Sequence, residues 1–491
     1  MSPMSKPKIA IIGGGIAGMA CAYRLLEFKK AHGSDFEILL FEAGSKLGGI
    51  IETEKRNGFI LEKGPDSFIS EKPWGLDLSK RLGIDSEMIG TRNEFRKSFV
   101  ARQNQLIPLP EGFYLIAPTN RKAFIGTPLF SVAGKIRIAS EFFLPKKNVS
   151  GDESIGAFVR RRFGKEALER VGQPMLAGIY TGDPDELSLA ATIPRFSELE
   201  QTYGSVLRGL LVKSKEKKEL GKARGPRYSL FLSFRHGMQT LVDAITKEIS
   251  RESVHLGSAV KNLSYQFENK QWIIQREDGI QFDADVICLA LPAFQSARLL
   301  RDISPNLFRK LGDISYQSVL TINFGFQRDD LAHPLDGFGF VVPRTENRSL
   351  VACSFSSVKF ENRAPGGHVL LRAFVGGAFG KNFFEMNDRD IEKLVLKDLS
   401  DFLGIKNQPM FSLVNRHSKS MVQYRVGHLD LVADIETEAQ KINGLFLTGS
   451  AFRGIGISDC IRDAEIQAGK IFEKIKNEKS GLKQEDLTCR S

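Results

Sequence analysis

Residues 9–18 read Ile-Ala-Ile-Ile-Gly-Gly-Gly-Ile-Ala-Gly, and this stretch decides the fold. Four apolar residues predict a parallel strand buried on both faces. Gly13, Gly15 and Gly18 follow in the G-x-G-x-x-G spacing. The first glycine permits the tight turn, the second lets backbone approach a pyrophosphate, and the third lets the next helix lie close on the strand. The N-terminal N–H groups of that helix would then face the phosphates. A second predicted strand, residues 37–42 (Glu-Ile-Leu-Leu-Phe-Glu), ends in Glu42, placed to accept hydrogen bonds from a ribose 2′-OH. A carboxylate there disfavours a 2′-phosphate and so NADP. Strand, glycine turn, helix and acid together are far harder to obtain by chance than the glycines alone.

Four residues beyond Glu42 comes Lys46, then Leu47, Gly48 and Gly49. This acid, base and double glycine match flavoproteins of the glutathione-reductase type, where a second loop passes against the pyrophosphate of FAD; FAD is therefore preferred to NAD. Near the far end, Gly454-Ile455-Gly456-Ile457-Ser458-Asp459 precedes an amphipathic helix from Cys460 to about Lys474, with Ser458 or Asp459 as its N-cap. Such a helix start would stabilise negative charge at a flavin N1/O2 edge. Residues 253–256, 259–263, 272–275 and 285–292 read as strands, and so do residues 444–449. The nucleotide-binding sheet is thus expected to come from three separated stretches. Residues from about 106 to 190 are mostly helical by pattern, and those from 303 to 440 mix strands and helices. No second G-x-G-x-x-G follows a strand, so electrons are expected to enter from an organic substrate and leave to O₂ or another small acceptor.

The 491 residues give room for two or three domains, and 42% hydrophobic with 26% charged residues is a globular composition. No leader segment and no bilayer-length apolar run is evident; the longest uncharged run, residues 9–23, is the glycine loop and its helix. Five scattered cysteines without C-x-x-C or zinc spacing suggest a reduced, cytosolic chain with no metal site. Of the net charge of +11, residues 213–227 carry +5, seven bases against Glu216 and Glu219, and read as a solvated loop. No nucleic-acid partner is expected; the remaining excess would suit an anionic membrane surface or an acidic substrate. No Ser/His/Asp set or paired carboxylates appear, so no catalytic residue or general base is assigned.

Five further stretches carry a resemblance: residues 64–68 (Gly-Pro-Asp-Ser-Phe), 176–183, 187–194, 337–343 and 454–460 (Gly-Ile-Gly-Ile-Ser-Asp-Cys). With them the chain, from about residue 8 to 475, closely resembles the oxygen-dependent protoporphyrinogen and coproporphyrinogen III oxidases of haem synthesis. The resemblance implies an α/β fold with a split Rossmann-type FAD-binding domain (1–92, 229–302, 441–475). It also implies an α+β substrate domain (93–105, 191–228, 303–440), a helical membrane-docking insertion (106–190) and a polar tail (476–491). The implied reaction is a six-electron oxidation of a porphyrinogen, with three O₂ reduced to H₂O₂. FAD contacts fall on Gly13, Gly14, Gly15, Ile16, Ala17, Gly18, Glu42, Lys46, Gly49, Ile50, Gly64, Pro65, Asp66, Ser67, Val260, Ile455, Gly456 and Ile457. The pocket wall falls on Gly178, Val341, Ser354 and Phe374, with Phe374 stacking on or edging a pyrrole.

The sequence also departs from the family. Where many protoporphyrinogen oxidases carry an Arg for a substrate propionate, this chain has Ser98, flanked by Arg96 and Lys97. That resembles the coproporphyrinogen-oxidising branch, as does Lys72 near the pocket, although a lone lysine is more often solvated. Coproporphyrinogen III, with four propionates, is slightly favoured over protoporphyrinogen IX. His417 stands where the family has a Trp, and Val422 where it often has a Pro. Residues 106–147 mix Leu109, Phe113, Tyr114, Leu115, Ile116, Phe124, Leu129 and Phe130 with six bases, a composition suited to peripheral membrane docking or to an ordinary helical core. A cytoplasmic enzyme, peripheral on the inner membrane face and able to form a homodimer, is the expectation. The rivals are a flavin amine oxidase, a carotenoid desaturase, or a non-catalytic FAD-binding protein.

Overall fold

Parallel pairing of Lys8–Ile12 with Glu37–Phe41 on one side and Val286–Leu289 on the other organises the first sheet. Val254–His255 and Leu445–Leu447 add the two edges, giving five parallel strands drawn from three distant parts of the chain. The structure, a computed structural model, describes residues 6–110, 112–114, 117–118, 120–147, 151–221, 229–376 and 383–488. The central strand is buried on both faces as its apolar run requires. Ile9 and Ile11 join one core with the helices Ile16–His32 and Ile457–Thr488, and Ala10 and Ile12 join the other with Trp272, Ile274 and Leu300. The predicted strands around 259–275 are present but form a separate antiparallel meander, Val260–Gln266, Gln271–Arg276 and Gln281–Ala284.

A second sheet of seven strands runs in the order Phe411–Gln423, Ser315–Gln327, His368–Gly376, Leu350–Phe355, Gly339–Val341, Phe99–Arg102 and Gln105–Pro108. Its pairs are antiparallel except Gly339–Val341 with Phe99–Arg102. One face packs on the helix Asp388–Leu403, and the other is turned toward the first sheet's loops.

The helical layer departs from expectation in three ways. Its core includes Phe196, Leu199, Val206 and Leu210 beside Phe158 and Leu176, so the helices continue past residue 190. The segment read as a solvated loop is helical through Gly221, because Val206–Gly221 is rich in Leu, Lys and Glu, which favour helix; residues 222–227 lie outside the described residues. Phe124, Leu129 and Phe130, whose setting suited membrane docking or a helical core alike, are buried in this core, and Phe113 packs against it. Leu115 and Ile116 lie outside the described residues. The side chains that do face outward are Ile125, Val132, Ile136 and Phe143.

The C-terminal helix starts at Ile457, so Ser458 and Asp459 sit inside its first turn and do not cap it. It also runs on to Thr488, where a polar tail was expected from residue 476. No helix among the described residues is long and apolar enough to cross a membrane.

Candidate active site

The two glycine loops are packed on each other. Gly13 adopts φ +112°, and a Cβ at Gly18 would lie 1.9 Å from the Gly13 carbonyl oxygen, so both positions require glycine. The Gly48 N–H donates to the Gly14 carbonyl at 2.8 Å, and Gly15 and Gly48 form a parallel bridge. Glu42 does part of the locking: its carboxylate accepts the N–H of Gly14 and of Gly44, each at 2.7 Å. The helix beginning at Ile16 has Gly15 as its N-cap with no side-chain acceptor, and a Cβ on Gly15 would meet no atom within 4 Å. Helix N–H groups without an internal partner beside such an open space fit a diphosphate. The residues present therefore suit a dinucleotide.

These loops open into a cavity of about 1570 Å³, larger than the ~300–1,000 Å³ of most small-molecule sites. Every residue assigned from the sequence lines it except Gly14, Gly18 and Lys46. Gly14 and Gly18 are covered by the turn itself. Lys46 is instead drawn to Glu52, 2.7 Å away on the outer side of the loop. The far wall is the second sheet: Val341, Ser354 and Phe374 come from three of its strands, and Ser98 stands at the start of a fourth. Gly178 arrives on the helix Gln173–Tyr180, which follows a π-helical turn at Leu168–Gly172, a device that re-aims a helix near functional sites. The exposed side chains of Ile50, Ile69 and Ile179 line this space and add to its apolar surface.

Lys72, its side chain 44% exposed, lines the cavity and pairs with buried Asp459 at 2.5 Å, tying the start of the helix Pro73–Arg81 to that of the C-terminal helix. The turn before that helix is held by Tyr424, whose hydroxyl donates to the Ser450 carbonyl at 2.6 Å and accepts the Gly454 N–H at 2.7 Å. His417 sits in the wall within 2.8 Å of the Lys63 carbonyl, and burial lowers its pKa, so it is a neutral donor there.

The sequence reading named Asp66 but missed the two cations beside it in the floor of the site. Lys359 donates to Asp66 at 2.9 Å, and Arg372 donates to the carbonyls of Lys63 and Gly64. Burial alone would raise the Asp66 carboxyl, but Lys359, Arg372 and the Ser67 hydroxyl outweigh it and hold the group well below the usual carboxylate range. One signal was available: Arg372 interrupts an otherwise apolar strand, Val369-Leu-Leu-Arg-Ala-Phe-Val375.

Behind the floor, burial pushes the Glu62 carboxyl from 4.5 up to about 7, against the pull of the Thr53 hydroxyl, the Met238 N–H and the charge of Arg363. The folded chain thus holds this proton more tightly than the unfolded one. Its stabilising contribution is complete at or below about pH 4.5 and is lost as pH rises to about 7. Glu62→Gln is expected to flatten the decline in urea midpoint across that window; an unchanged slope would place the proton elsewhere.

A two-sheet fold, two interlocked glycine loops and an apolar chamber reaching the second sheet define a flavin-dependent oxidoreductase. The chain belongs to the flavin-containing amine oxidoreductase family, whose model matches residues 16–472, and within it to the porphyrinogen oxidases. It is 34% identical to the coproporphyrinogen III oxidase of Bacillus subtilis (strain 168) over 457 residues, 93% of this chain and 96% of that one. It is 27% identical to the mitochondrial protoporphyrinogen oxidase of Nicotiana tabacum, covering 93% of each chain. Among solved structures, a candidate protoporphyrinogen oxidase from Exiguobacterium sp. 255-15 superimposes with a TM-score of 0.83 at 28% identity, covering 96% of this chain and 99% of that one.

Proposed function

We propose that this chain is an FAD-dependent oxidase that converts a porphyrinogen to the porphyrin, coproporphyrinogen III in preference to protoporphyrinogen IX. Six electrons and six hydrogens leave the macrocycle, and three O₂ become three H₂O₂. The observation that carries this is the continuity of the cavity from the glycine loops to the apolar wall at Gly178, Val341 and Phe374. FAD, when bound, supplies the two-electron acceptor that O₂ reoxidises. The chain's own part is to hold a flat apolar ring near that acceptor and to exclude water around it. FAD is assigned over a shorter flavin because the interlocked loops and Glu42 offer a complete diphosphate and ribose site.

The preference for coproporphyrinogen rests on the higher identity to a bacterial coproporphyrinogen III oxidase, on Ser98 and on the cavity-lining Lys72. Extra cations suit a tetracarboxylate better than a dicarboxylate. We infer a cytoplasmic enzyme that touches the membrane through the outward side chains Ile125, Val132, Ile136 and Phe143, with Arg121 and Lys122 exposed beside Ile125. A homodimer is compatible with this placement. The test is aerobic turnover of FAD-loaded protein with each porphyrinogen, following porphyrin fluorescence and H₂O₂. Faster turnover of coproporphyrinogen III is expected; inactivity on both substrates would refute the reading.

A further inference from the structure

Five charged side chains share the buried wall between residues 62–66 and the second sheet. Arg372, Arg363 and Glu62 are 4%, 2% and 4% exposed, and Asp66 and Lys359 are paired there. Three cations thus face two carboxylates, and the raised Glu62 carboxyl is a weak partner near neutral pH. Lys63, the neighbouring cation, is already matched by Glu52 and Glu54, and His417 is neutral. Arg363 is spent on structure: it donates to the Ser233 hydroxyl and the Phe234 carbonyl, both at 2.9 Å.

Arg372 is the least satisfied. It gives one nitrogen to the carbonyls of Lys63 and Gly64, lies 5.0 Å over the Phe374 ring, and its Nε has no partner among the described residues. A cation out of water that must share the Asp66 carboxylate with Lys359 keeps part of a desolvation penalty of several kcal/mol, which an arriving anion would offset. Asp66, Lys359, Arg372 and Phe374 all line the cavity. Arg372 also pairs in register with Ser354, so it stands at the seam between the 64–67 loop and the substrate wall.

We propose that Arg372, supported by Lys359, sets the flavin's affinity for electrons by holding the negative charge that reduction places on the ring. The inference rests on the reading above, in which the flavin lies against residues 64–67. In each turn a C–H bond of the macrocycle yields two electrons and one proton to the ring, while one pyrrole N–H proton goes to water. The ring therefore gains one negative charge, next to a fixed positive one in a medium of low dielectric. Reoxidation passes the two electrons and that proton, with one proton from water, to O₂ as H₂O₂.

The test is made on FAD-loaded protein without substrate. Sulfite adds to an oxidised flavin and puts the same charge on the ring, so its affinity, read by bleaching of the flavin absorbance, reports the effect directly. Arg372→Met is expected to weaken sulfite binding at least tenfold and to lower the flavin midpoint potential by about 30 mV, the two-electron equivalent of tenfold. Arg372→Lys should recover most of both, and Lys359→Met should shift both in the same direction by less. A sulfite affinity and potential unchanged in Arg372→Met would overturn the proposal. If that variant loses its flavin, Lys359→Met decides: a shift supports the proposal and no shift overturns it. Failure of the functional reading looks different, as a wild-type protein with normal flavin spectra that turns over neither porphyrinogen.

Discussion

Purified Gly64→Ala protein is expected to be nearly colourless. A Cβ at Gly64 would lie 1.7 Å from the Ile50 carbonyl oxygen and 2.8 Å from its carbon, so the backbone of one cofactor-framing segment is forced off the other. Overpacking of this kind costs about 1–3 kcal/mol even where side chains can yield, and here the obstacle is main chain. A loss of that size weakens flavin binding by roughly tenfold or more, at 1.4 kcal/mol per decade. The ratio of absorbance at the flavin maximum to that of the protein measures it. Gly15→Ala is the control, since its methyl meets no protein atom within 4 Å. That variant should melt like the wild type and lose flavin only through contact with the ligand itself. A Gly64→Ala protein with stoichiometric flavin would show that these two segments do not frame the cofactor.

The largest loss of stability is expected from Glu141→Ala, far from the cavity. Glu141 and Arg162 are both 0% exposed and ion-paired. The same carboxylate accepts the Ser205 hydroxyl at 2.6 Å and the N–H groups of Val206 at 2.8 Å and Leu207 at 3.1 Å, so it also caps the helix Val206–Gly221. Removing it leaves the buried guanidinium only Glu200, 3.4 Å away, as a carboxylate partner, and frees two helix N–H groups. Breaking a buried pair from one side costs about 3–5 kcal/mol. Urea unfolding followed by far-UV circular dichroism should show the helical signal lost well below the wild-type midpoint. The double variant Glu141→Leu/Arg162→Met should recover much of the difference, because an apolar pair leaves no charge unmatched. Equal midpoints for Glu141→Ala and wild type would mean that water reaches Arg162.

The sequence disclosed the first sheet and both ends of the cavity well, for physical reasons. Residues 9–12 and 286–289 must be apolar throughout because helices cover one face and the antiparallel meander with Leu300 covers the other, and the glycines at 13, 15 and 18 follow a spacing set within one turn. Where the decisive contact is remote, residue pattern alone carried no signal. Lys72 has its partner 387 positions away, and nothing local distinguishes it from a surface lysine. Arg372 belongs to no motif, and only its place in an apolar strand marks it. The pattern of residues 106–147 left docking and core packing open for a related reason. Arg121–Gly126 and Val132–Ala139 have six and eight residues, too few turns for periodicity to separate an inner face from an outer one. Phe124 thus turned inward while Ile125, beside it, turned out.

Assembly of the five-stranded sheet from three distant stretches has a consequence for biosynthesis. The strand Lys8–Ile12 leaves the ribosome early, yet its neighbour Val286–Leu289 follows some 275 residues later, and the edge strand Leu445–Leu447 with the turn at 454–457 comes almost last. At about 5–20 residues per second, that separation is tens of seconds of translation. Throughout it, one side of the first strand lacks its partner and the nucleotide site lacks its closing turn. A chain cut short before Leu445 has no complete place for a flavin, so capture of the cofactor is a record that the whole polypeptide was made.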